Sequence, residues 1–198
     1  MFTNRTLFFI KEHVGMLKLK SQYDIIDPNT KEILGEAIEY PGGFFQVLRL
    51  IINKRNLPTS VLVKDFISNQ QGMRLEKSWG FFNFKVTVFD AEDQMIGYFK
   101  NKAFSFSGGF KVFDETDSLI AEVKGNWKTR EYQLVNPNGE PMGMVTKKWA
   151  GFGKELFTTA DNYMISIDES AAKNNKEEYG MLLLAASLAY DLVYTERS

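Results

Sequence analysis

Tyr179-Gly180-Met181-Leu182-Leu183-Leu184-Ala185-Ala186-Ser187-Leu188-Ala189-Tyr190 is a twelve-residue run without a charge. Its apolar members cover every face of a helix, and a helix apolar all round has to be enclosed by lipid or by protein. Spanning a bilayer takes about 20 apolar residues, whereas roughly 10–14 suits a buried core helix or an interfacial segment. This run falls in the second class, and Asp191 stops it from lengthening. The expected element is a core helix over about 178–195, with Met181, Leu182, Leu184 and Leu188 as its packing residues. The rest of the chain has to supply the wall.

A repeated pattern supplies it. Tyr23-Asp24-Ile25-Ile26-Asp27 leads to Ile33-Leu34-Gly35, and Val86-Thr87-Val88-Phe89-Asp90 leads to Met95-Ile96-Gly97. Phe110-Lys111-Val112-Phe113-Asp114 leads to Leu119-Ile120-Ala121, and Tyr132-Gln133-Leu134-Val135-Asn136 leads to Met142-Gly143. Each copy reads strand, Asp/Asn turn, strand, because Asp and Asn side chains bond their own turn backbone. The small residue follows the turn residue by seven positions in three copies and by eight in the first. A small residue at a fixed strand position marks a bend or a close approach by another segment, and repeated bends let a sheet curl.

Between the first and second copies, Phe44 to Asn56 reads as an amphipathic helix with apolar positions 44, 47, 48, 51 and 52. Gly42-Gly43 precede it and Pro58 follows it. Such a helix is expected to cover a barrel end, the alternative being that it lies on a membrane with Phe44, Phe45 and Ile51 beside Arg49, Lys54 and Arg55. Together these elements predict a mainly β domain over 1–198. Its architecture is a closed antiparallel barrel of about 12 strands wrapped around the C-terminal helix, since closure removes sheet edges and an apolar lumen suits an apolar helix.

Composition excludes more than it indicates. The chain has no cysteine and one histidine, His13, so disulfides, thiolate metal sites, cysteine nucleophiles and multi-histidine metal sites are closed to it. Twenty-four basic residues against 25 acidic leave no global field directed at nucleic acid. Leu7-Phe8-Phe9-Ile10 is shorter than the roughly 7–15 residues of a secretory core, so a cytoplasmic protein is expected.

Two blocks carry a family resemblance. Glu12-His13-Val14-Gly15 followed by Tyr23-Asp24-Ile25-Ile26-Asp27-Pro28 is similar to the opening of the phospholipid scramblase family. Lys148-Trp149-Ala150-Gly151, Glu155-Leu156-Phe157-Thr158 and Ala160-Asp161-Asn162-Tyr163 resemble its closing block, which runs into an apolar C-terminal helix. The resemblance extends over Leu7 to Glu196, in a superfamily that includes LURP-one-related and tubby C-terminal domains, and it implies the same helix-filled barrel. Animal scramblases also carry a Pro-rich N-terminal segment and a palmitoylated cysteine stretch, both missing from this sequence.

The resemblance further implies a calcium loop, which would run from Thr159 to Ser170 here. Its first position is Thr159, a later ligand position is Tyr163, and Ser170 replaces the closing acid, leaving Asp161 and Asp168 as weak candidate ligands beside Glu169. Calcium takes six to eight oxygens, so neither calcium nor another cofactor is expected. Lys124, Trp127, Lys128, Arg130, Lys147, Lys148 and Trp149 form a candidate headgroup patch, as tubby-like domains use for phosphoinositides. No catalytic constellation is present. The expected protein is a non-enzymatic binding module, cytoplasmic and peripheral to the inner membrane, with anionic phospholipids as partners and no nucleic acid. No feature identifies a protein partner. The alternative is a scramblase moving lipids between leaflets through its last helix.

Overall fold

Buried and less buried residues alternate along strands such as Thr59–Asp65 and Lys85–Phe89, and a strand with that pattern buries one face. The computed structural model describes residues 5–13, 20–80, 84–101, 109–126, 131–147, 162–168 and 176–194. Its strands are β1 (Leu7–Glu12), β2 (Gln22–Ile26), β3 (Ile33–Tyr40), β4 (Thr59–Asp65), β5 (Gln70–Lys77) and β6 (Lys85–Phe89). They continue as β7 (Met95–Asn101), β8 (Phe110–Phe113), β9 (Leu119–Asn126), β10 (Glu131–Val135), β11 (Pro141–Thr146) and β12 (Tyr163–Ile167). A short helix α1 spans Gly43–Leu48 and a long one, α2, spans Lys176–Tyr194. Every strand is antiparallel to its chain neighbours, and β12 pairs with β1 (Phe8 opposite Ile165) to close a twelve-stranded barrel.

The four hairpins read from sequence are β2–β3, β6–β7, β8–β9 and β10–β11, and β4–β5 is a fifth. All five turns share one chemistry. Oδ1 of Asp27, Asp65, Asp90, Asp114 or Asn136 accepts the backbone N–H two residues on, at 2.8–3.0 Å. Each turn then places one residue in the left-handed region: Lys31, Asn69, Asp93, Asp117 or Gly139. The pairing register slips by one residue just before each turn, between Ile25 and Ile26, Val63 and Lys64, Val88 and Phe89, Val112 and Phe113, and Leu134 and Val135. Bulges of this kind bend and twist a strand, and five of them at one end curl the sheet into closure.

Two small residues of the repeat, Gly97 and Gly143, make room for α2. A Cβ on Gly97 would sit 2.6 Å from the Phe113 carbonyl oxygen and 3.2 Å from Leu182. A Cβ on Gly143 would run into the Leu183 side chain and approach the Ser166 carbonyl oxygen to 2.7 Å. From Leu182 to Val193 every side chain of α2 is buried, and Met181 is partly so. Tyr190 stacks on Tyr132 at 4.6 Å and meets Phe110 edge-on. The Ser187 hydroxyl donates to the Leu184 carbonyl at 2.7 Å, which satisfies it inside an apolar lumen. Asp191 lies inside the barrel end rather than beyond it, and its charge, after burial itself, pushes the Tyr23 hydroxyl's pKa well up.

The helix predicted over 44–56 is shorter. α1 stops at Leu48, tightens through i→i+3 bonds from Leu50 to Val47 and Ile51 to Leu48, and passes to a 3-10 turn at Lys54–Asn56. The break falls at Arg49, whose side chain is drawn inward to Glu39.

Candidate functional site

With α2 filling the lumen, chemistry that meets a partner is left to the outer wall and the two ends. An up-and-down barrel sends its connections alternately to one end and the other. The five Asx turns (27–32, 65–69, 90–94, 114–118 and 136–140) share one end and hold ten carboxylates against a single lysine, Lys31. The other connections meet at the opposite end, where the described connecting residues carry Lys20, Arg49, Lys54, Arg55 and Lys147 and no carboxylate. Among the described residues, the connections at the two ends of the barrel thus carry opposite charge.

The basic end also carries the largest exposed apolar side chains. Phe44 is 72% exposed, Val47 64%, Leu50 72% and Ile51 87%. Phe45 bridges this segment to the half-exposed Trp79 by an edge-on ring contact at 5.9 Å. Tyr40, also exposed, lies under the Lys20 ammonium at 5.8 Å.

Between those apolar residues, Arg49 points the other way. Its guanidinium Nη2 donates to Glu39 Oε1 at 2.5 Å, and the two side chains are only 3% and 2% exposed. Glu39 also accepts the Thr59 hydroxyl at 3.0 Å and the Ser21 backbone N–H at 2.8 Å. Burial works against the charged carboxylate, but Arg49, through hydrogen bond and charge, together with the Ser21 N–H, outweighs it and lowers the Glu39 pKa. Lys77 is buried at the same end, its ammonium donating to the Leu57 carbonyl at 2.5 Å. Asn162 Oδ1 accepts from the Glu12 N–H at 3.2 Å and ties β12 to β1 there.

Of the candidate headgroup residues, Lys124 is exposed on β9, opposite Gln133, and Lys147 follows β11 at the basic end. Trp127, Lys128, Arg130, Lys148 and Trp149 lie outside the described residues, as does Asp161. Asp168 sits just past β12 at the acidic end, its N–H donating to the Met142 carbonyl. The sequence reading placed the apolar residues of 44–56 against the barrel. Their outward display agrees instead with the alternative of a helix lying on a membrane, and the signal for it was Arg49, the single charge between Gly42 and Asn53.

These features define a class: a closed antiparallel barrel wound on a buried helix, with described connections of opposite charge at its two ends. The Scramblase family profile matches residues 18–197, and the chain belongs to that family. An X-ray structure of a protein from Arabidopsis thaliana has the same fold, with a TM-score of 0.52, 11% identity, and coverage of 94% of this chain and 90% of that one. A search of curated proteins returns no match. Among the described residues no helix is long and apolar enough to cross a membrane.

Proposed function

We propose that this chain is a non-enzymatic, scramblase-like module that associates peripherally with anionic phospholipid surfaces. The polarised barrel carries the reading: one end holds basic connections, among them Lys20, Lys54 and Lys147, and the other holds ten turn carboxylates. Such a dipole orients the molecule toward a negative surface before contact. Each Lys or Arg near an anionic bilayer contributes about 1 kcal/mol, so a handful gives reversible attachment. Lys124 and Lys147 remain in this reading as headgroup contacts, on the wall and at the rim of the basic end, and α2 stays in the barrel throughout.

Flotation with phosphatidylserine-containing and phosphatidylcholine-only vesicles tests it. Binding should require the anionic lipid and weaken as salt rises, because screening shortens the reach of surface charge. Absence of binding to anionic vesicles at low salt would overturn it. With labelled lipid in the same vesicles, the module should leave leaflet asymmetry intact with or without calcium.

A further inference from the structure

The segment after β3 is amphipathic in the reverse sense. A helix that closes a barrel end turns its apolar face to the barrel and its charges to water. Between Gly42 and Asn53 the only charged residue is Arg49, and it is the side chain turned inward. Phe44, Val47, Leu50 and Ile51 are the most exposed of the large apolar residues described, exceeding Tyr40, Phe66, Ile67 and Trp79.

The inversion is built rather than incidental. Glu39 on β3 is held by the Ser21 N–H before β2 and by the Thr59 hydroxyl that opens β4, so the carboxylate that receives Arg49 is fixed from both sides. Pinning Arg49 pins the middle of the segment. The two residues that follow it, Leu50 and Ile51, and Val47 two positions before, are thereby turned to the outside. The core gains nothing from their being apolar, since polar residues at those positions would serve it equally.

We propose that residues 43–52 form a membrane-inserting wedge, held apolar side out by the Glu39–Arg49 pair, that seats at the headgroup–acyl boundary of an anionic bilayer. The proposal rests on the lipid-surface reading above and adds the contact that reading lacked. Charge complementarity selects the occupant: the wedge stands at the end whose described connections are basic, with Lys54 following it and Lys20 beside Tyr40. Apolar and aromatic residues flanked by cations suit the bilayer interface. A second copy docked wedge to wedge would bring two basic ends together, which like-charge repulsion opposes.

The chain has no cysteine, so Ile51→Cys offers a unique site for an environment-sensitive dye, with Thr116→Cys at the acidic end as its counterpart. On phosphatidylserine-containing vesicles the dye at 51 should shift to the blue and be quenched by chain-labelled lipid, while the dye at 116 should do neither. The triple variant Phe44→Ser, Leu50→Ser, Ile51→Ser should keep the wild-type melting temperature, since all three side chains are exposed, yet bind these vesicles at least tenfold more weakly. If wild type binds but the 51 dye stays in water, or the triple variant binds as tightly, the wedge is refuted while the lipid-surface reading stands. If wild type ignores the vesicles, both fall. Should it also sediment as a dimer that the triple variant dissolves, the segment is a contact between copies instead.

Discussion

Leu188 and Ile51 are both aliphatic, and both belong to segments that read as helix from sequence, but they should respond to truncation in opposite ways. Leu188 is fully buried on α2 with the barrel wall around it, whereas Ile51 is 87% exposed. Leu→Ala inside a close-packed core removes transfer free energy and leaves a cavity, at a cost of about 3–5 kcal/mol. In a domain of this size, 1 kcal/mol moves Tm by about 2–4 °C, so Leu188→Ala should lower Tm by roughly 6–20 °C. Ile51→Ala creates no cavity and should stay within about 0.5 kcal/mol, a shift of at most about 2 °C. Thermal and urea unfolding followed by circular dichroism, without detergent, gives both numbers. A Leu188→Ala protein that melts within about 3 °C of wild type would show that α2 is not what the barrel is wound upon. An Ile51→Ala protein that loses several degrees would show that the α1 region packs inward after all.

Glu39 should govern part of the acid limb of stability. Folding lowers its pKa below the ordinary 4.5, so its contribution is complete above that value and disappears as pH falls through the lower folded one. Glu39→Gln should flatten Tm against pH in that window, and it should cost about 3–5 kcal/mol at neutral pH by removing the carboxylate that faces buried Arg49. A Glu39→Gln protein that retains the wild-type acid slope would refute the assignment. Gly143→Ala should cost about 1–3 kcal/mol through overpacking against Leu183 and the Ser166 carbonyl. By contrast, Gly139→Ala has open space around it at φ 87° and should lose only the roughly 1–2 kcal/mol of left-handed strain; a Gly143→Ala protein as stable as wild type would refute the close-approach argument. Asp114→Ala should cost about 1–2 kcal/mol by stripping the acceptor from the Thr116 and Ser118 N–H groups. Asp114→Asn should be nearly neutral in urea unfolding, because Asn136 already fills the same role in the last hairpin.

The parts of the fold that local chemistry writes were legible. An Asx turn needs one oxygen at one place, and a charge-free run needs enclosure, so four hairpins and α2 can be read from adjacent residues alone. The β4–β5 hairpin hid because its turn, Asp65-Phe66-Ile67-Ser68-Asn69, carries two apolar residues at its tip. Gly72 does follow Asp65 by the seven positions of the repeat, but Met73 faces Val63 there, in the register position that glycine or alanine takes in the other hairpins. Periodicity ran α1 on to residue 56 because it cannot see a carboxylate ten positions back on a different element. The charge polarity was invisible for a related reason. Its residues are scattered along the whole chain and gather only once the topology sends alternate connections to opposite ends. Of the candidate headgroup residues, Lys124 lies on the wall and Lys147 at the basic end.

The two ends differ in kind as well as in charge. At the acidic end, five turns of five or six residues repeat one hydrogen-bonding scheme, each with a left-handed residue and an adjoining bulge. Uniformity of that sort is what closing the sheet demands, and it leaves those loops little latitude to do anything else. At the basic end no two connections have the same length, and those between β3 and β4 and between β11 and β12 run to 18 and 16 residues. Long, dissimilar loops on a rigid frame are where binding residues concentrate. A lumen filled by α2 denies the barrel an interior site, so selection on what the domain touches has to act at the end folding leaves free. There a buried arginine on a buried glutamate spends polar chemistry on holding four apolar side chains in water. That arrangement is costly in solution and becomes favourable once a partner covers those side chains. It is therefore at the basic end, and not in the helix that first draws notice, that the activity of this protein should be sought.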